Sequence, residues 1–308
     1  MKGILLAAAF ALLPMAAHAQ TPAQWYSEEV KVAGTLYKPA NASAKAPGVV
    51  LAPGWGETAA TLAPYAKALA AQGIVALTID YRGWGKSGGE LYLGERLAFY
   101  DAQRFTDQTP EIVVRRGRLD PEHQVQDIRN AITFLQSDAN VDPNAIGVLG
   151  IDLAGGHVIS VMGMDTRAKV GVAITPVIAG NGVPQKSFVP DAKTQAAMIK
   201  LAREGSVPKT AAEAKARNAQ EASIALGEYM PFWRIEAVPK TDAVRFIVAG
   251  ADEKVPSANN AFAAAKTIQA RNDVKTIEGA KHVLNPAQTE QAAGLAAEWM
   301  KSNLKSGN

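Results

Sequence analysis

Residues 145–156 place a charged side chain on a predicted sharp turn. This segment starts as a β-branched apolar run and passes through Gly150, Asp152 and Ala154 before a helical pattern begins. A strand, a sharp turn and a helix in this order form the G-x-S-x-G elbow, in which the turn holds a nucleophile above the end of a sheet. Asp152 takes the position of the serine, and Ala154 replaces the second glycine. The sequence therefore predicts an elbow that presents a carboxylate.

Two later segments place an acid and a histidine after predicted strands. Asp252 follows the apolar run VAGA, and His282 follows the segment EGAK. The chain order is elbow residue, acid and histidine, which differs from the order in chymotrypsin and in subtilisin. Asp152, Asp252 and His282 are therefore the candidate catalytic residues.

Apolar runs rich in β-branched residues alternate with helical patterns along most of the chain. This alternation predicts an α/β fold, with a mostly parallel sheet and helices on both of its faces. We expect a strand pair within about 28–37 and further strands at 48–52, 74–80, 145–151, 170–175, 244–250 and 274–278. We expect helices at about 59–71, 121–136, 153–162, 257–270 and 286–304.

Two insertions interrupt this alternation. The first, at about 90–118, is charged and contains aromatic residues, and the second, at about 178–242, has two helical patterns. Insertions of this size on the loop side of a parallel sheet usually cover the site at the strand ends. We interpret 178–242 as a helical lid, although its alanine-rich helices could instead pack on the body without touching a ligand. Tyr229 and Trp233, where the lid returns to the sheet, are candidate walls of a substrate pocket, and clustered aromatics of this kind also seal cores.

Five stretches form one pattern from residue 51 to residue 282. They are LAPGWG at 51–56, DYRGWGKSGG at 80–89, VDP at 141–143 with the elbow behind it, GADEKVP at 250–256 and GAKH at 279–282. In these stretches the chain resembles the α/β-hydrolase superfamily, and within it the dienelactone-hydrolase-like and acyl-peptidase-like branch. The resemblance implies that Asp252 orients His282, that His282 acts as the base, and that the backbone N–H groups of Trp55 and Leu153 form an oxyanion hole.

An aspartate at the elbow changes the chemistry that this resemblance implies. A carboxylate that attacks an ester must expel a much more basic alkoxide to form a mixed anhydride, so ordinary esterase chemistry is disfavoured. Attack on a saturated carbon instead gives an ordinary ester that water can open. Epoxide hydrolases and haloalkane dehalogenases of the superfamily resemble this chain in carrying Asp at the elbow. We therefore expect displacement by Asp152, followed by attack of a water deprotonated by His282.

An epoxide fits the sequence better than a halide as the substrate. The related dehalogenases have a tryptophan directly after the nucleophile to hold the halide, whereas this chain has Leu153. Epoxide hydrolases use lid tyrosines to protonate the epoxide oxygen. Tyr229 in the long insertion, and Tyr92 and Tyr100 in the first one, are candidates for such an acid.

Three other interpretations of the elbow stay open at the level of sequence. The chain could be a non-catalytic binding protein with a degenerate elbow. It could be an esterase relative of the dienelactone-hydrolase-like type. Finally, Asp152 could serve as a general base beside His282 in a lyase or isomerase reaction.

Composition and the N-terminal residues limit the cellular setting. Lys2, an apolar stretch at 4–15 and the sequence Ala17-His18-Ala19 have the pattern of a signal peptide over residues 1–19. We expect residues 20–308 to form one domain, in the periplasm or secreted, without disulfides because the chain has no cysteine.

The formal net charge of +3 does not indicate a nucleic-acid partner, and no later segment has the about 20 apolar residues of a membrane span. We expect a small-molecule substrate, no cofactor and no metal; the sequence indicates no oligomeric state.

Overall fold

A computed structural model describes residues 19–40, 45–93, 109, 111–179, 190–204, 208 and 210–305. Of the predicted signal peptide, only Ala19 belongs to these ranges, as the first residue of a strand. The rest of that prediction, and Tyr100, lie outside the described residues. Within the described ranges, no helix is both long enough and apolar enough to cross a membrane.

Eight strands form the central sheet, and two more form a separate hairpin. The strands are β1 (Ala19–Ser27), β2 (Val30–Lys38), β3 (Ala46–Ala52), β4 (Val75–Asp80), β5 (Glu90–Leu93), β6 (Ile112–Arg115), β7 (Val141–Ile151), β8 (Ala168–Ile174), β9 (Ala243–Ala249) and β10 (Arg271–Ile277). The sheet order is β1-β2-β4-β3-β7-β8-β9-β10. Strand β2 pairs antiparallel with β1 and with β4, and all other pairs in this sheet are parallel. The predicted mostly parallel sheet is therefore confirmed.

Helices cover both faces of the sheet, as the alternation predicts. They are α1 (Ala63–Ala71), α2 (Pro121–Gln136), α3 (Leu153–Met164), α4 (Ala192–Glu204), α5 (Ala211–Glu228), α6 (Ala261–Thr267) and α7 (Pro286–Asn303). Helices α2, α3 and α6 contribute to the core on one face, and α1 and α7 contribute to the core on the other. All residues of β4 and β9 are buried, which is typical of strands that are covered on both sides.

Local signals explain where the helices begin. Helix α2 starts where the Asp120 carboxylate accepts the backbone N–H of His123, with Pro121 at the first helical position. Helix α7 starts with a capping box between Asn285 and Gln288. These caps satisfy N–H groups that have no partner within the helix, so they fix the start of each helix.

The fold differs from the sequence expectation in several places. Strands β7 and β10 start three or four residues earlier than expected, and the first turn of the helix expected at 59–71 is a 3₁₀ helix, Ala59–Leu62. The opening pair starts earlier than the expected 28–37 and spans 19–38: β1 ends at Ser27, and Glu28, with a φ of 55°, begins the turn to β2. The helix expected at 257–270 is limited to α6, because Asn260 has non-helical backbone angles and its side chain accepts the N–H of Ile178 and of Ala179. The first insertion contains the β5–β6 hairpin, which was not expected.

The two insertions are joined by polar contacts. Arg115 on β6 donates to Asn218 on α5 and forms an ion pair with Glu221. Arg118 pairs with the same glutamate at 3.1 Å. Helices α4 and α5, the two predicted lid helices, lie side by side, since Gln220 donates to the carbonyl oxygen of Ala197.

Truncation of Phe246 tests how strongly the core supports the end of β9. Its side chain is fully buried, and the strand leads directly to Asp252. We expect Phe246→Ala to lower the free energy of unfolding by about 3–5 kcal/mol in urea denaturation, because it leaves a cavity in a close-packed core. Phe262→Ala is the matched control, since Phe262 is 40% exposed. Equal losses for the two variants would contradict this description of the core.

Candidate active site

Asp152 stands on a tight turn between β7 and α3. Its backbone angles are φ 55° and ψ −119°, a conformation that residues other than glycine rarely adopt. The turn is held by backbone bonds: the Asp152 N–H donates to Ile174, and the Asp152 carbonyl accepts from Gly155 and Val177. The predicted elbow is therefore present.

Two glycines beside the elbow are required because a larger side chain would not fit at these positions. A Cβ at Gly150 would collide with the carbonyl group of Ala154, and a Cβ at Gly155 would lie 2.7 Å from the Cβ of Pro176. Ala154 itself is fully buried. Alanine can therefore replace the second glycine of the motif at position 154, because the positions that have no room for a Cβ are Gly150 and Gly155.

The three predicted catalytic residues lie in one hydrogen-bonded row. His282 Nε2 lies 3.1 Å from Asp152 Oδ1, and His282 Nδ1 lies 2.8 Å from Asp252 Oδ2. The other oxygen of Asp252 accepts the backbone N–H groups of Lys254 and Val255. Because its side chain is only 2% exposed and fully engaged, Asp252 fixes the orientation of the imidazole.

Sheet topology brings Asp252 and His282 together. Strands β9 and β10 are parallel neighbours, so the loops that follow them leave the sheet at the same edge. Backbone bonds join the two loops: Gly250 donates to Ile277 and Ala251 donates to Ala280. The acid and the histidine therefore have fixed relative positions.

The two carboxylate oxygens of Asp152 have different partners. Oδ2 accepts the backbone N–H of Trp55 at 3.1 Å, whereas Oδ1 faces His282. The backbone N–H of Leu153 also hydrogen-bonds to this carboxylate. The structure thus places both predicted oxyanion-hole amides on Asp152. Gly54 permits this approach, since a Cβ there would lie 3.1 Å from the Asp152 Cβ.

The hydrogen bonds in this row stabilise an ion pair. Burial alone would raise the pKa of Asp152, but the bonds from His282, Leu153 and Trp55 outweigh it and hold that pKa below its ordinary value. The hydrogen bond with Asp152 raises the pKa of His282; burial opposes that rise, and the bond with Asp252 adds to it. The imidazolium is therefore favoured between two carboxylates.

The side of the site on which Asp152 meets His282 is open to solvent. The Asp152 side chain is 26% exposed and the His282 side chain is 12% exposed. Two large apolar residues beside them are exposed as well: Trp55, whose amide binds Asp152, at 46%, and Val283, which follows His282 in the chain, at 71%. A substrate can therefore reach the carboxylate and meet apolar surface beside it.

Tyr229 lies behind the elbow instead of in front of it. It is buried, and its hydroxyl lies 2.9 Å from both the Leu153 carbonyl oxygen and His157 Nδ1. Helix α5 of the predicted lid meets the elbow at this point, since Ala222 packs in one cluster with Leu153 and Tyr229. The Tyr92 hydroxyl is also engaged, donating to Glu90. Tyr229 and Tyr92 were expected as acids that protonate the epoxide oxygen. In the structure, the hydroxyl groups of both form hydrogen bonds with groups other than Asp152 and His282.

Tyr229 and Trp233 line a cavity of about 950 Å³. Asp152, Asp252 and His282 are not among the residues that line this cavity. The structure therefore brings the two aromatic residues together but separates them from the triad. Their assignment to the substrate pocket stays a prediction.

His157 on α3 is a fully buried, hydrogen-bonded histidine behind the elbow, as expected from its place inside the helix that follows the elbow. His157 contacts Tyr229 through Nδ1 and Gln124 through Nε2, at 3.0 Å for the latter. Burial lowers the pKa of His157 to about 3, so the ring is neutral. Its partners are far away in sequence, so no local pattern predicts this network. In the part of the chain that the structure describes, no group of three metal-binding side chains is found.

Comparison with protein families gives one match that covers most of the chain. Residues 49–298 match the family described as Alpha/beta hydrolase family. Among curated proteins, thiohydrolase aneE from Aspergillus aculeatus is 27% identical over 54% of this chain and 43% of its own length. The quorum-quenching protein AidA from Acinetobacter baumannii is 28% identical over 51% of this chain and 44% of its own length. The matched segments thus span less than half of these relatives.

Solved structures resemble the fold over nearly the whole chain. The structure of DcsB in complex with its substrate analogue superposes with a TM-score of 0.68 and 17% identity, covering 94% of this chain and 99% of that one. Est1E from Butyrivibrio proteoclasticus with bound ferulic acid gives a TM-score of 0.60 and 15% identity, covering 91% and 98%. At this level of identity the likeness concerns the fold alone.

The charge state of His282 predicts how stability depends on pH. Because its pKa is raised in the folded state, its stabilising contribution is complete below about pH 6.5 and is lost as the pH rises through the folded pKa. The difference in unfolding free energy between wild type and His282→Gln should therefore shrink as the pH rises from about 6.5 to 9. For His157→Gln the difference should not shrink over this range, and it should be constant above about pH 7.5, where His157 is neutral in both the folded and the unfolded chain. A constant difference for His282→Gln would show that the imidazolium pair does not form.

Proposed function

The chain belongs to the α/β-hydrolase family, and from its triad we propose that it is a hydrolase in which Asp152 attacks a saturated carbon, with an epoxide as the substrate. One observation carries this proposal: the amide of Trp55 binds one oxygen of the Asp152 carboxylate while the other oxygen faces His282. An ester formed on the second oxygen would keep its carbonyl oxygen at the backbone amides. Its hydrolysis then has both an oxyanion hole and a base in place.

In the first step, Oδ1 of Asp152 forms a bond to an epoxide carbon. The bond from that carbon to the ring oxygen breaks, and the oxygen takes a proton from the imidazolium of His282. The raised pKa of His282 supports its protonated state before this step. This assignment also fits the engagement of Tyr229 and Tyr92 in other hydrogen bonds.

In the second step, His282 is neutral and takes a proton from water. The resulting hydroxide adds to the Asp152 carboxyl carbon, and the oxyanion that forms is stabilised by the N–H groups of Trp55 and Leu153. Collapse of this intermediate expels the alkoxide, which takes the proton from His282 and leaves as the diol. The new carboxylic acid then returns its proton to the imidazole, which restores the starting ion pair.

The surface beside the triad supports a substrate with an apolar body. Trp55 and Val283 are exposed next to the oxyanion hole and the base, where burial by a ligand would be favourable. We therefore propose a small or medium epoxide with an apolar substituent. The motifs at 51–56 and 250–256 support placement in the dienelactone-hydrolase-like and acyl-peptidase-like branch.

Thioester hydrolysis is the second candidate. The observation that favours it is the similarity to a relative named as a thiohydrolase. A thiolate is a better leaving group than an alkoxide, so a carboxylate such as Asp152 can displace it and form a mixed anhydride. The same imidazole would then activate water.

Export is a further part of the proposal, supported by the pattern of Lys2, the apolar stretch and Ala17-His18-Ala19. When the full chain is expressed in a Gram-negative host, we expect the periplasmic fraction to contain a chain that begins at Gln20. Mass spectrometry of the intact protein measures this. A chain that keeps residues 1–19 and stays in the cytoplasm would contradict the proposal.

Turnover in water enriched in the heavy oxygen isotope tests the nucleophile. With styrene oxide as substrate, we expect the peptide that contains Asp152 to gain heavy oxygen over many turnovers, because each hydrolysis exchanges a carboxylate oxygen. Asp152→Asn should reduce turnover by at least about a hundredfold, whereas Glu290→Gln, at an exposed site on α7, should leave it unchanged.

The outcomes of that experiment separate the candidates. Diol formation without label on Asp152 would make this residue a general base and overturn the nucleophilic role. No turnover of styrene oxide, together with turnover of an N-acetylcysteamine thioester, would favour the second candidate. Wild-type protein that turns over neither substrate would contradict both candidates.

A further inference from the structure

The cavity lined by Tyr229 and Trp233 lies between α2, α3, α5 and the short 3₁₀ helix Pro231–Ala237, and its wall does not include the triad. Its volume is about 950 Å³, which is in the range of small-molecule sites. Its lining residues come from helix faces: Val125 and Glu122 from α2, Met164 from α3, and Ile224 from α5. Helices of the described chain therefore form much of its wall, and the cavity is open to solvent.

Apolar side chains form much of this wall. Val125 and Ile224 are buried, and Met164 and Trp233 are 44% and 45% exposed. Exposed methionine and tryptophan side chains in a concave surface favour contact with an apolar ligand.

Two carboxylates of the cavity lack a compensating charge. Glu122 and Glu228 both line it and are exposed to solvent; partial burial, and after it the charge of Glu122, raises the pKa of Glu228. Within the described residues, neither forms an ion pair or a hydrogen bond. The neighbouring acids differ in this respect, since Asp120 and Glu221 both pair with Arg118.

The arginines of the wall do not neutralise these two glutamates. Arg118 is engaged by Asp120 and Glu221, and Arg129 is paired with Asp165 at 3.2 Å. Arg234 lies on the exposed side of the 3₁₀ helix. The two uncompensated carboxylates therefore outweigh the single remaining arginine, and the cavity is suited to a positive charge.

Ser160 gives an independent indication of a ligand. It lies on α3, is only 8% exposed and lines the same cavity. Its hydroxyl forms no hydrogen bond with any other residue that the structure describes. The hydroxyl is not one of the fully buried polar atoms, so it is accessible from the cavity, where a ligand can form a hydrogen bond with it.

We propose that this cavity binds an organic ammonium ion with an apolar body, at a site separate from the triad. The ammonium group binds Glu122 and Glu228, the apolar body lies against Met164 and Ile224, and Ser160 supplies a hydrogen bond. Tyr229 forms part of both environments, because it lines the cavity while its hydroxyl contacts the carbonyl group of Leu153. A bound ligand therefore touches the residue that supports the elbow from behind.

Calorimetric titration with three probes of one shape tests the charge preference. The probes are 4-phenylbutylamine, which is protonated at pH 7, the neutral 4-phenylbutan-1-ol and the anionic 4-phenylbutanoate. We expect the wild-type protein to bind the amine at least about tenfold more tightly than the alcohol, and the carboxylate most weakly. Asp152→Asn should leave the affinity for the amine unchanged, which separates this site from the triad and from the proposed reaction.

Substitutions of the two glutamates test whether these residues bind the ammonium group. Glu122→Gln combined with Glu228→Gln should bring the affinity for the amine down to that of the alcohol, whereas Glu236→Gln, an exposed glutamate of the 3₁₀ helix outside the wall, should have no effect. Equal binding of the amine and the alcohol by wild type would overturn the proposal, and this result does not depend on the stability of any variant. Loss of amine binding in Asp152→Asn would overturn it as well.

Discussion

The imidazole of His282 between two carboxylates is the interaction on which the site depends. Asp252 is buried and holds the ring from one side, and Asp152 meets it from the other at the more open face. A single imidazole that joins two acids compensates charges that would otherwise repel each other. The ion pair therefore stabilises the folded state and sets the protonation state from which the proposed reaction starts.

Backbone strain at the elbow is balanced by hydrogen bonds. Residues in sparsely populated backbone regions cost about 1–3 kcal/mol and persist only where the surroundings fix them. At Asp152 the fixing contacts are backbone bonds to Ile174 and Val177, with amide donors on the side chain from Trp55 and Leu153. The same turn that strains the backbone places the carboxylate against these amides.

The elbow separates two different environments. In front of it, Asp152 and His282 face solvent and an exposed apolar rim. Behind it, Tyr229 and His157 form a buried neutral network, and beyond Tyr229 lies the cavity with its two uncompensated glutamates. One short turn thus connects the triad, where we propose displacement chemistry, with the cavity, where we propose a cation, and Tyr229 contacts the elbow and lines that cavity.

The sequence by itself determined the α/β architecture, the elbow and the chain order of the triad. These features are local: buried parallel strands need continuous apolar runs, and a tight turn needs glycines at close approaches such as Gly150. Tertiary structure decided which oxygen of Asp152 faces His282, because this contact joins residues that lie 130 positions apart. It also decided that Tyr229 lies behind the elbow, through a contact with His157 across 72 positions. Such contacts depend on how the helices pack, and no local pattern encodes them.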